Sequence, residues 1–245
     1  MKYTNRAPIS TETKVAIGIL ALTVAVLAGG LILFKGKPST GPSEQTILNN
    51  IDTNLVLSKD TVSPKINPKI TGTGKGTATS STSTAPIEVT EFMDYECPAC
   101  AVQGEYTIKK LLELYGDRVT ITRRILPVHG QPSIEIGRMV LASQEYGHEA
   151  YQKLHEKVFE TQNTWIRMGT EDRVTFFQKL TQDLGMDYDK LVADGKSKYA
   201  SQIDADKAAA LQLNIRYTPS FIINYKTRIN GGIPLNYIQR YIDIR

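Results

Sequence analysis

The chain's only two cysteines stand three positions apart, as Cys97-Pro98-Ala99-Cys100, shortly after an apolar, strand-like run from Ile87 to Met93. Two sulfurs at that spacing can close and reopen a small disulfide ring. With no third cysteine, the chain has a redox centre and no disulfide framework. Pro98 suits the first turn of a helix, where its missing N–H is no loss. Cys97 is therefore expected to open a helix, where unpaired backbone N–H groups favour the thiolate and lower its pKa. Cys100 lies one turn further in, close enough to complete the ring and less exposed.

Other uses of such a pair fit less well. A structural bridge this short removes only about 2 kcal/mol of unfolded-state entropy by the chain-entropy formula. A structural zinc site wants four ligands. The chain offers two cysteines and three histidines, and His129, His148 and His155 read as surface or capping residues with no ligand-like spacing to the pair. No metal and no cofactor is expected.

Around the pair, Ile108, Leu111, Leu112 and Tyr115 give the helix an apolar stripe, and Gly116 a stop. Arg118 to Leu126 reads as a second strand. The pattern is helical from Ser133 to about Leu213, with Tyr151, Leu154 and Val158 on one face and Val174, Phe177 and Leu180 on another. A third strand, Phe221 to Ile223, follows Thr218-Pro219. A fourth is read at Ile229 to Gly231, and Pro234 to Ile244 closes the chain as a helix. Alternating strands and helices argue for an α/β sheet, and the helical block is too long for a simple crossover, so it is an inserted subdomain.

The 245 residues carry a net charge of +4, unevenly spread. Residues 1–85 hold nine Lys/Arg against four Asp/Glu, whereas residues 86–245 hold twenty against twenty-one. A near-neutral folded part argues against nucleic-acid binding, which concentrates positive charge on the domain. Val15 to Phe34 is an uncharged run of twenty residues, long enough to cross a bilayer. Lys2, Arg6 and Lys14 before it favour a cytoplasmic tail over 1–14. Cleavage after Ala28 is the alternative, opposed by the apolar residues that resume at Leu31. Residues 35–85, rich in Gly, Ser, Thr and Pro, read as a flexible linker with one candidate ordered patch near Gln45 to Leu57. The catalytic domain is expected over 86–245, on the extracytoplasmic side of a single-pass anchor.

The segment Val89 to Cys100, the helical insertion over about 130–200, and Tyr217-Thr218-Pro219-Ser220-Phe221 before a strand resemble the DsbA-like branch of the thioredoxin superfamily. The resemblance implies a thioredoxin-like α/β fold with an inserted helical subdomain. It also implies thiol:disulfide exchange, with Cys97 as the exposed nucleophile and Cys100 as the buried resolving sulfur. Pro219 would follow a cis peptide bond facing the cysteines, with Thr218 and Pro219 meeting an extended substrate segment. Glu91 matches the family's buried acid beneath the disulfide and would relay protons to Cys100. Ala99 stands where the family's strongest oxidants carry a histidine, which implies a milder potential. The implied partners are reduced, cysteine-containing exported proteins and a quinone-linked membrane reoxidase, with the chain itself a monomer. Two other functions use the same residues: an extracytoplasmic thiol reductant, and a non-catalytic peptide-binding or chaperone module built on the groove beside Thr218-Pro219.

Overall fold

The computed structural model describes residues 49–53, 57, 58, 62, 67–72 and 86–242. All of them belong to one unit, Ile47–Arg245. The apolar run expected to cross a membrane, residues 15–34, lies outside them. Among the described residues no helix is long and apolar enough for that.

Six strands, β1 (Ile51–Asp52), β2 (Lys69–Thr71), β3 (Ile87–Met93), β4 (Val119–Ile125), β5 (Ser220–Ile223) and β6 (Thr227–Asn230), form one mixed sheet in the order β1-β6-β5-β3-β4-β2. Its centre is β3 (Ile87–Met93), paired in parallel with β4 (Val119–Ile125) and antiparallel with β5 (Ser220–Ile223). β6 (Thr227–Asn230) follows β5 through a turn at Asn224 and Tyr225, both at positive φ. Both central strands are buried almost throughout, which explains their near-continuous apolar reading.

The first outer strand falls in the candidate ordered patch near Gln45 to Leu57, and the second departs from the linker expected over 35–85. β1 (Ile51–Asp52) pairs with β6, and β2 (Lys69–Thr71) pairs with β4, both antiparallel. Val62 is buried beside Phe92 and Ile222, and the Asn67 side chain is buried against Asp206. Composition hides these contacts because each strand spans only two or three residues. Gly72 is needed where the chain leaves β2: a Cβ there would stand 2.2 Å from the Gly116 carbonyl oxygen.

One helical run covers residues 98–115: α1 (Pro98–Gln103), a π-helical stretch at Gly104–Ile108, then α2 (Lys109–Tyr115), ended by Gly116 at φ 55. α2 and α9 (Leu235–Ile242) bury Leu111, Tyr115, Ile238 and Ile242 on one sheet face against Val89, Ile121 and Phe221. α8 (Ala200–Gln212) lies on the other face, where Ala209 and Ala210 pack near Phe92 and Ile222.

Between β4 and α8 stand five helices, α3 (Gln131–Ala142), α4 (His148–Glu160), α5 (Gln162–Trp165), α6 (Thr170–Asp183) and α7 (Tyr188–Ser197). Their core contains Tyr151, Leu154, Val158, Trp165 and Phe177, and it continues into Met93, Tyr95, Cys97 and Cys100. Val174, read on the same helical face as Phe177 and Leu180, is 36% exposed. The redox pair thus lies where the insertion meets the sheet.

Candidate active site

Cys97 caps α1 with extended backbone angles, φ −78 and ψ 113, and its carbonyl accepts the Cys100 and Ala101 amides at 3.0 and 3.3 Å. Both cysteines are free thiols. Cys100 is fully buried, and Cys97 is 5% exposed. The nucleophile expected to be exposed is thus largely covered, because the loop before β5 lies over it: the Cys97 thiol donates to the Thr218 carbonyl at 3.3 Å. Thr218-Pro219 is a cis peptide bond. Pro98 and Ala99, between the two cysteines, are exposed.

The two thiols are electrostatic opposites. A hydrogen bond from the Cys100 thiol, with the nearby Thr218 side chain and the backbone amides of Ala99 and Cys100, outweighs partial burial. They lower the Cys97 pKa from 9.0 to about 6. Cys100 moves the other way, well above 9.0, because burial penalises its charge and its bond to Cys97 holds the proton. The two residues are identical in kind and differ by one helical turn in how much polarity reaches them.

Glu91 points into the same region from β3 and is 2% exposed. Burial raises its pKa from 4.5 to about 7, and Arg123 opposes the shift only partly. Arg123 is the neighbour in register on β4, with Nε 3.8 Å from the carboxylate. Its Nη1 donates to Gln152 Oε1 at 3.0 Å on α4. Ionised Glu91 would also raise the Cys100 pKa. A cavity of about 260 Å³ between the 98–115 helical run and α4 reaches Arg123 and His155. Gly104 lies on its wall, where a Cβ would meet nothing within 4 Å.

Several supports were not anticipated from sequence. Gln162, at the start of α5, donates to the carbonyls of Tyr95 at 2.7 Å and Cys97 at 3.1 Å, pinning the active-site turn from the insertion. Gln103 is buried and exchanges two hydrogen bonds with the Ile233 backbone at 2.7 and 3.1 Å. Ser220 Oγ donates to the Tyr217 carbonyl at 2.7 Å and accepts from the Gly231 amide at 3.3 Å, bracing the loop that carries Thr218 and Pro219. The neighbours of these residues in sequence do not mark their roles: Gln162, for one, stands among Thr161, Asn163 and Thr164.

The histidines separate three ways. His148 is exposed at the start of α4. His155, read as a surface residue, is 4% exposed. Burial first, and Arg123 second, hold it neutral, and its Nδ1 shares a hydrogen bond with the Tyr95 hydroxyl at 2.9 Å. It lies on the inner stripe of α4 beside Tyr151. His129 follows β4 and its Nδ1 is 2.8 Å from Asp94 Oδ2. No cluster of three metal-binding side chain types occurs among the described residues.

A family model described as Thioredoxin matches residues 76–243. The Disulfide bond formation protein D of Bacillus subtilis is 29% identical over 157 residues, covering 58% of this chain and 65% of that protein, a little under two thirds of its length. Among solved structures, a thioredoxin-like oxidoreductase from Silicibacter pomeroyi is similar with a TM-score of 0.60 and 22% identity, covering 76% of this chain and 96% of that one. Oxidised BdbD from Bacillus subtilis gives 0.57 and 22%, covering 78% and 97%. The thiol-disulfide exchange protein alpha-DsbA2 from Wolbachia pipientis gives 0.59 and 20%, covering 76% and 90%. At these identities the structural likeness establishes the fold.

Proposed function

This chain belongs to the thioredoxin family, and from that premise we propose that it is a DsbA-like thiol:disulfide oxidoreductase that introduces disulfide bonds into exported proteins. The observation that carries the proposal is the pairing of opposed thiols within one helical turn: Cys97 lowered to about 6 and Cys100 raised well above 9.0.

In the oxidised form a substrate thiolate attacks the Cys97 sulfur. The Cys97–Cys100 bond breaks as the mixed disulfide forms, and the electron pair leaves on Cys100. A buried thiolate there is costly, so it needs a proton at once. Glu91, near pKa 7, is partly protonated at neutral pH and is the group to supply it. The cavity that reaches its partner Arg123 offers water a route for restoring that proton. A second substrate thiolate then attacks the substrate sulfur of the mixed disulfide. Cys97 leaves as a thiolate, which its surroundings favour. The substrate has lost two electrons and two protons. The enzyme holds both electrons, with one proton on Cys100 and the other released to solvent.

Thr218 and Pro219 form the ledge against which the attacking segment lies. The uncharged run 15–34 would anchor the chain, place this domain outside the cytoplasm among reduced exported proteins, and bring it near a quinone-linked membrane reoxidase. The name of the Bacillus relative supports the direction of electron flow proposed here.

The test is the equilibrium of the purified domain with glutathione, together with oxidation of a reduced test protein. A potential of about −120 mV supports an oxidant, and one of about −270 mV the reductant instead. Cys97→Ser is expected to abolish turnover, and full activity in that variant would overturn the assignment of the nucleophile. Client binding that is undiminished with both cysteines changed to serine, alongside absent exchange, would favour a peptide-binding module.

A further inference from the structure

Pro98 and Ala99 bring neither a charge nor a side-chain donor to the Cys97 sulfur. A titratable side chain from a different part of the chain nevertheless shares a hydrogen-bonded partner, Asp94, with the turn that presents Cys97. His129 lies in the loop between β4 and α3 and donates from Nδ1 to Asp94 Oδ2 at 2.8 Å. That oxygen also accepts the Val128 and His129 amides, at 2.8 and 3.1 Å. Asp94 Oδ1 accepts the Glu96 amide at 2.9 Å, and the Asp94 carbonyl accepts the Cys97 amide at 3.1 Å. One fully buried aspartate therefore ties the histidine loop to the turn that presents Cys97.

With Nδ1 committed to Asp94, the imidazole keeps Nε2 as its free nitrogen. The side chain is 42% exposed, which leaves it open to protonation from solvent. The charged groups that act on it are Asp94, the Cys97 thiolate and Glu96, whose carboxylate is anchored by the Ser133 amide and hydroxyl at 3.0 and 2.7 Å. All three are anionic. Partial burial works against protonation, but these groups outweigh it and hold the His129 pKa above its ordinary value. Electrostatic coupling is mutual: if the thiolate favours the imidazolium, the imidazolium favours the thiolate by the same amount.

We propose that His129, held by Asp94, is the charge-tuning residue of Cys97: as an imidazolium it stabilises the thiolate produced when the disulfide is reduced. The inference rests on the thiol:disulfide reading above. It adds no bond-making step. It moves the equilibrium toward the reduced enzyme, and hence toward oxidation of the substrate, for as long as the histidine carries its proton.

The test compares wild type, His129→Gln and His129→Lys through the ultraviolet titration of the Cys97 thiolate and the glutathione equilibrium across pH. In His129→Gln the thiolate should titrate higher, and reduction of the disulfide by glutathione should weaken by at least about threefold, the scale of one partly screened charge. That gap should close as pH rises past the His129 titration. His129→Lys should restore the low thiolate pKa and keep it at alkaline pH. A depressed Cys97 pKa that is unchanged in His129→Gln overturns this inference alone, as does a gap that persists undiminished at alkaline pH. A wild-type Cys97 that titrates as an ordinary thiol overturns both this inference and the functional reading beneath it.

Discussion

Arg123 and Arg124 are consecutive on β4, each 2% exposed, and they point to opposite faces of the sheet. Each meets a buried carboxylate, and the two pairs are built differently. Arg124 Nε donates to Asp206 Oδ1 at 2.9 Å. The same carboxylate also accepts the Ile125 amide at 2.8 Å and the Asn67 side chain at 3.0 and 3.2 Å. Arg124 also reaches the Val62 and Ala205 carbonyls and lies over the Phe92 ring. Arg123 faces Glu91 at 3.8 Å, and its Nε has no hydrogen-bond partner among the described residues. Burial raises both acids, Asp206 to about 6 and Glu91 to about 7. Titration alone therefore does not tell them apart. Hydrogen-bond satisfaction does: a saturated pair clamps structure, whereas an under-bonded acid beneath a sulfur is placed to exchange protons.

The largest expected effect falls on the clamp. Asp206→Ala leaves Arg124 buried without its carboxylate and should cost about 3–5 kcal/mol in urea unfolding, while exchange at low temperature persists. If instead exchange were lost with stability intact, the roles of the two pairs would be reversed. Glu91→Gln comes next. It should slow disulfide exchange about a hundredfold near neutral pH and remove the inflection near pH 7 from the rate profile, with little loss of stability.

The same two acids can be separated by the pH dependence of stability. A carboxyl whose folded pKa is raised contributes stability below its unfolded pKa and loses it as pH rises through the folded one. Asp206 should act between 3.8 and about 6, and Glu91 between 4.5 and about 7. Cys97 and His155, whose folded pKa values are lowered, push the other way in this range in both proteins, so the test is the difference: between pH 6 and 7 wild type should lose stability relative to Glu91→Gln as pH rises. The smallest effect is expected for Asn67→Ala, at about 1 kcal/mol, since the segment before β2 loses one anchor while the site is untouched.

Much of this molecule can be read from its residues before any coordinates. The strand before the cysteines, the helix opened by Cys97 and the strand after Pro219 carry strong local signals: β-branched runs, proline at a first helical turn, and glycine after a last one. What escapes is whatever depends on a distant partner. β1 and β2 are too short to show alternation, and they exist because β6 and β4 offer edges. Adjacent arginines in β4 look like a solvated end of a strand until Glu91 and Asp206 are seen opposite them. His155 shares its helical stripe with Tyr151, Leu154 and Val158, so helical spacing could have placed it inside; its residue type argued otherwise. For His129, neither the partner Asp94 nor the nearness of Cys97 leaves any trace in spacing.

Alkylation of the fully reduced protein across pH, with each labelled sulfur identified by peptide mass, tests the opposed thiols most directly. Label is expected on Cys97 alone, its rate reaching half-maximum near pH 6 while Cys100 stays unmodified. Equal labelling of both sulfurs, with a common inflection near the ordinary 9.0, would contradict it.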